Sequence, residues 1–187
     1  MSESKLGNPA VIGLAGFGMT TLILQCHNLG WCGIAPVLWL GLIFGGTAQL
    51  LAGLMEFKTG NSFGMCAFTG YGAFWIALCL MIIFKGVSPV FDWVGKDLGF
   101  FLMGWTLFTF LLFIASMKHN GTLAFVFLTL LLGFIGLDVK ELTESAGAGL
   151  FAGWDLIICA LSAFYLMFAT VCAEAGIKLP VGGPWIK

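Results

Sequence analysis

A chain of 187 residues that is 60% hydrophobic, 9% charged and of mean hydropathy +1.04 cannot keep its surface solvated in water. Soluble domains carry about 25% charged residues. A formal net charge of −1 with dispersed lysines and no arginine also excludes nucleic-acid binding, which leaves a chain built for the bilayer.

No charge interrupts Leu6 to Met55, a run long enough for two crossings at about 20 apolar residues each. The sequence QCHNLGWCG (Gln25 to Gly33) and Pro36 divide it. The first span is predicted near 9–29. Asn8-Pro9 begins it, a capping residue followed by one suited to the first helical position. Gly13, Phe17, Thr20 and Leu24 share a face, with Thr21 and Asn28 at its edge. Thr20 and Thr21 either line a polar path or bond their own backbone.

The second span is predicted near 36–57. Gly41, Gly45, Gln49, Gly53 and Glu56 recur there at spacings of four, four, four and three, which holds them on one face. The glycines suit a close helix–helix seam. Gln49 either lines a solute path or bonds between helices, and Glu56 either guards a mouth or faces water. Asn61-Ser62 caps a third span near 63–84, which carries Thr69 and Tyr71. Further spans are predicted near 98–117, 121–137 and 149–173, the fifth being the shortest. Asp155 is the only acid well inside an apolar run. The expected fold is a single all-α membrane domain covering residues 1–187.

Six spans put both termini on one side, together with Lys5, Lys58, Lys118, Lys178 and Lys187. Lys85, Lys96 and Lys140 lie on the other, so the lysine bias orients both termini to the cytoplasm. Offsets of 83 and 88 lay Gly70-Tyr71 over Gly153-Trp154 and Gly16-Phe17 over Gly104-Trp105. Either the two halves form an inverted 3+3 repeat or abundant glycine and leucine match by chance. The six cysteines lack metal-ligand spacing, and only Cys26 and Cys32 flank a common loop where a bridge could form. No HExxH, GxSxG or phosphate-loop motif is present, so no enzyme, metal or cofactor is expected.

Three stretches together resemble the acetate uptake transporter family, the succinate–acetate permeases. They are NPAVIGLAGFGMTTLILQCHNLG (Asn8 to Gly30), the segment Phe44 to Trp75, and LFAGWDLIICALSAFYLMFA (Leu150 to Ala169). The family usually reads NPAPLG where Val11-Ile12 follow Ala10 here. The resemblance implies six-helix protomers in a homo-hexamer in the inner membrane, each with its own path for acetate and related carboxylates. It further implies a hydrophobic narrowing at Phe17, Tyr71 and Leu130, and a size-setting position at Ala163. Polar residues expected along the path are Asn8, Thr20, Thr21, Gln49, Glu56, Asn61 and Thr69. The rival readings are a channel for a neutral solute such as urea or ammonia and a membrane scaffold that moves nothing.

Overall fold

The computed structural model describes residues 7–187, so Lys5 lies outside the described residues. Among the described residues six helices are long and apolar enough to cross a membrane: α1 (Ala10–Asn28), α2 (Ala35–Thr59), α3 (Ser62–Phe84), α4 (Gly95–Ser116), α5 (Gly121–Thr143) and α6 (Ala146–Glu174). No strand occurs among the described residues.

Local chemistry explains the boundaries. Gly60, at φ 75°, takes the left-handed conformation that closes α2. The side-chain oxygens of Asn61, Asn120 and Ser145 then accept the amides of Gly64, Leu123 and Ala148, starting α3, α5 and α6. Helix α5 is the one whose extent departs most from expectation, continuing from Leu137 to Thr143. Asp138, Lys140 and Glu141 ended the apolar run but do not break a helix, whose backbone bonds are indifferent to side-chain polarity. It stops only at Glu144, where φ is 58°.

Helix α2 contains a π-helical stretch, Ile43–Ala48, at Gly45-Gly46-Thr47. Thr47 Oγ1 donates to Leu42 O at 2.8 Å, occupying a carbonyl at the bulge. The bulge brings Gly45 against Thr20 of α1, where a Cβ would collide with the threonine.

Helices α1 and α2, α2 and α3, α4 and α5, α5 and α6, and α6 and α1 pack side by side. Small residues permit the closest of these approaches: Gly53 meets Thr69, Gly72 meets Leu50, Gly133 meets Leu156, and Gly18 meets the Ala160 carbonyl. Helices α3 and α4 instead meet through rings. Phe74 touches Phe101 and Trp105, while Tyr71 touches Trp105 and Phe108. Most of α4 faces outward, including Phe100, Leu107 and Leu111, as expected for a surface against lipid.

The aromatics matched by the sequence offsets sit in unlike surroundings: Tyr71 is buried in the core and Trp154 is 51% exposed. The recurrence visible in the described helices is instead an asparagine at the start of α1, α3 and α5. Cys26 and Cys32 are free thiols, and Cys32 Sγ points to the Ile23 carbonyl at 3.9 Å.

Candidate functional site

Because α1, α3 and α5 start at the same end of the bundle, their first turns border a common cavity of about 160 Å³. At roughly 30 Å³ per water, that space holds several waters or a small solute. Ala10, Asn61, Gly64, Asn120 and Leu123 line it near these helix starts. Asn8 Oδ1 accepts from the Ala10 amide at 3.0 Å, Asn61 Oδ1 from Gly64 at 3.0 Å, and Asn120 Oδ1 from Leu123 at 2.9 Å. Each asparagine orders a first turn whose remaining amides carry the positive end of a helix dipole. Three such ends around one cavity favour an anion without a fixed cation, and among the described residues neither lysine nor arginine lines it.

Deeper in, Phe17, Tyr71 and Leu130 line the same cavity and are each buried. The Phe17 and Tyr71 rings lie 5.9 Å apart, and Phe127 packs on Tyr71 from α5 at 6.2 Å. The Tyr71 hydroxyl is not free to meet a solute, because it pairs with Thr109 Oγ1 of α4 at 2.9 Å. That bond fixes the ring, so the narrowing presents its apolar surface. Thr109 was not expected from the sequence, since a lone threonine on an apolar helix carries no sign of its partner.

Gln49 also lines the cavity. It is 0% exposed, and neither its Oε1 nor its Nε2 has a partner among the described residues. Buried amides without partners are costly, so this one is poised for water or solute. Glu56 is 2% exposed, which overturns its reading as a water-facing residue. It sits behind the cavity wall, accepting from Thr59 Oγ1 at 2.9 Å, with its carboxyl group against the first turn of α3 at Gly64.

Of the expected path residues, Asn8, Thr20, Thr21, Glu56, Thr69 and Ala163 do not line the cavity. Thr20 faces α2, beside Gly45, with its hydroxyl 3.5 Å from Leu40 O. Thr69 packs on Gly53 of α2. Ala163 is fully buried in the core cluster, and α6 lines the cavity through Leu166 and Thr170. A shared helical face shows which residues point together but not toward which neighbour. Thr21 is buried one turn beyond Phe17, and its hydroxyl has no partner among the described residues. Asn120 and His119, both on the cavity wall, were missed. Asn120 had a legible signal, because asparagine also precedes the first and third helices.

Removing one member of the Tyr71–Thr109 pair leaves a buried hydroxyl unpaired. Thr109→Val is therefore expected to cost about 1–3 kcal/mol. Adding Tyr71→Phe should recover much of that loss, since both polar groups are then gone. Thermal unfolding of the four proteins in detergent measures the cycle, and strictly additive costs would dissolve the pair.

An apolar six-helix bundle with a cavity entered past helix starts and closed by rings defines a membrane passage protein. The family model described as GPR1/FUN34/yaaH family matches residues 1–181, and the chain belongs to that family. It is 39% identical over 185 residues to the Succinate-acetate/proton symporter SatP of Escherichia coli (strain K12), covering 97% of this chain and 98% of that protein. Acetate permease A of Emericella nidulans is 32% identical, with 97% of this chain and 68% of that protein covered. The solved structure of the bacterial acetate channel SatP superimposes with a TM-score of 0.91 at 39% identity, over 95% of this chain and 100% of that one.

Proposed function

We infer that this protein passes acetate and related short carboxylates across the inner membrane, as a homo-hexamer with both termini in the cytoplasm. The observation that carries the reading is the cavity itself, where three asparagine-ordered helix starts meet over the Phe17–Tyr71–Leu130 narrowing. The names of its relatives support the substrate class. Lys58, Lys118, Lys178 and Lys187 on the cavity side, against Lys85, Lys96 and Lys140 opposite, support the orientation.

A carboxylate arriving at the cavity trades water for amide N–H groups of the first turns and the Gln49 side chain. The apolar narrowing offers no such replacement, so an ion pays a desolvation penalty there. A protonated acid pays less. An ordinary carboxyl pKa of about 4.3 leaves roughly one molecule in 500 protonated at pH 7. Flux is accordingly expected to rise as the pH of the supplying side falls.

Labelled acetate and urea uptake into proteoliposomes tests this, with protein-free liposomes correcting for acid that crosses lipid. Acetate uptake above that control, steeper at pH 5.5 than at pH 7.5, is the expected result. Uptake of urea but not acetate would favour a neutral-solute channel. No uptake of either would leave the scaffold reading.

A further inference from the structure

Beyond α6 the chain runs as an irregular segment, Ile177–Ile186, that is neither helix nor strand. Segments of this kind are loose unless tied down. This one is tied to three helices. The Tyr165 hydroxyl of α6 donates to Pro180 O at 2.6 Å. Thr122 of α5 donates twice to Val181 O, from its amide at 2.8 Å and from its hydroxyl at 3.0 Å. The Gly121 amide donates to Gly182 O at 3.4 Å, where Gly182, at φ 72°, turns the segment. The Trp185 amide then donates to Met117 O at 2.9 Å, just past α4, and its ring stands edge-on to Phe113 of α4 at 6.3 Å.

These contacts brace the short turn from Met117 to Asn120, which joins α4 to α5 and supplies His119 and Asn120 to the cavity wall. The segment itself does not border that cavity. It takes the amides of Gly121 and Thr122, while Asn120 Oδ1 takes that of Leu123 and Asn120 O that of Ala124. All four amides that the start of α5 leaves without intrahelical partners are thereby paired. The donor left for a carboxylate is the Asn120 side chain, whose Oδ1 is engaged and whose Nδ2 is free to donate. Its direction depends on an extended backbone, φ −137° and ψ 159°, held between two residues, Met117 and Gly121, that are both bonded to the segment.

We propose that Ile177–Ile186 is a positioning strap for the cavity, with Val181 and Trp185 fixing the direction in which Asn120 presents its amide to the solute. This deepens the transport reading above and rests on it. Loosening the strap returns the Gly121 and Thr122 amides to water, so the first turn of α5 frays and Asn120 loses its fixed direction. The passage stays open but holds a carboxylate less well.

Exchange of labelled acetate at equal concentrations across proteoliposomes reads the half-saturating concentration whatever the orientation of the protein. Trp185→Ala is expected to raise it about fivefold, the worth of one hydrogen bond, with the maximal rate retained. Tyr165→Phe removes only the far anchor at Pro180 and should raise it about twofold. Asn120→Ala should act as strongly as Trp185→Ala, and combining the two should add nothing further. A merely structural role predicts additive losses instead. Hydrogen exchange gives a readout without solute, since the Leu123 amide should exchange faster in Trp185→Ala than in wild type. If Trp185→Ala fails to assemble, Tyr165→Phe decides by the same measurements. Wild-type half-saturation in the strap variants, additivity with Asn120→Ala, or unchanged Leu123 exchange would overturn the strap. Wild-type vesicles exchanging no acetate above protein-free controls would instead overturn the transport reading, while Leu123 exchange still decides whether the segment holds α5.

Discussion

Leu130→Ala is expected to widen the path and raise the ratio of succinate to acetate uptake severalfold. Leu130 is 4% exposed and joins Phe17 and Tyr71 on the cavity wall while also belonging to the core cluster. Deleting a buried leucine side chain costs about 2–5 kcal/mol, depending on how far the site collapses. One side of Leu130 already faces open space, so fewer contacts are lost and the cost should fall near the bottom of that range. Its neighbour Tyr71 cannot refill the gap, because it is tied to Thr109. The widened space therefore persists and admits a longer solute. Thermal stability and the two uptake rates, measured on one preparation, decide the matter. A strongly destabilised protein with an unchanged ratio would make Leu130 ordinary core.

Gly53→Val is expected to prevent stable assembly altogether. A Cβ at this position would collide with the hydroxyl and the backbone amide of Thr69 and stand 3.0 Å from the Phe68 carbonyl carbon. The amide nitrogen and the carbonyl carbon are backbone atoms of a packed helix and cannot rotate away. Overpacking typically costs about 1–3 kcal/mol and more where the backbone must move, so a branched side chain here should exceed that range. The α2–α3 seam also holds Gln49 and Tyr71 at their cavity positions, so transport should be lost with the fold. Gly104→Ala is the matched control, since nothing lies within 4 Å of a Cβ there. It should be neutral or stabilising by up to about 1 kcal/mol through helix propensity. A Gly53→Val protein that melts with wild type would dismiss the seam.

The spans were legible for a plain reason. Hydrocarbon admits neither charge nor unpaired backbone, so each crossing must be a long apolar helix with polar residues gathered at its ends. The cap of α3 was legible too, since Asn61 satisfies an amide within its own first turn. The end of α5 was misjudged because hydropathy reports where apolar residues stop, whereas a helix continues until its backbone is turned, here at Glu144. The Phe17, Tyr71 and Leu130 positions came from family resemblance, not from any pattern in the residues themselves.

Interhelical partners were beyond reach for a different reason. Thr20, Thr69 and Thr109 are all threonines on apolar helices, yet two pack on α2 glycines and one anchors the tyrosine of the narrowing. Glu56 was open to two readings, a mouth residue or a water-facing one, and it is buried against α3. A sequence determines which residues share a face through the fixed pitch of one helix. Six helices can still be arranged with many crossing angles and rotations, and lipid-facing and core-facing apolar residues are chemically alike. The sequence by itself therefore determined the number of the helices and, apart from the end of α5, their approximate extents. Only the packed bundle decided which polar groups face the cavity and which serve the seams.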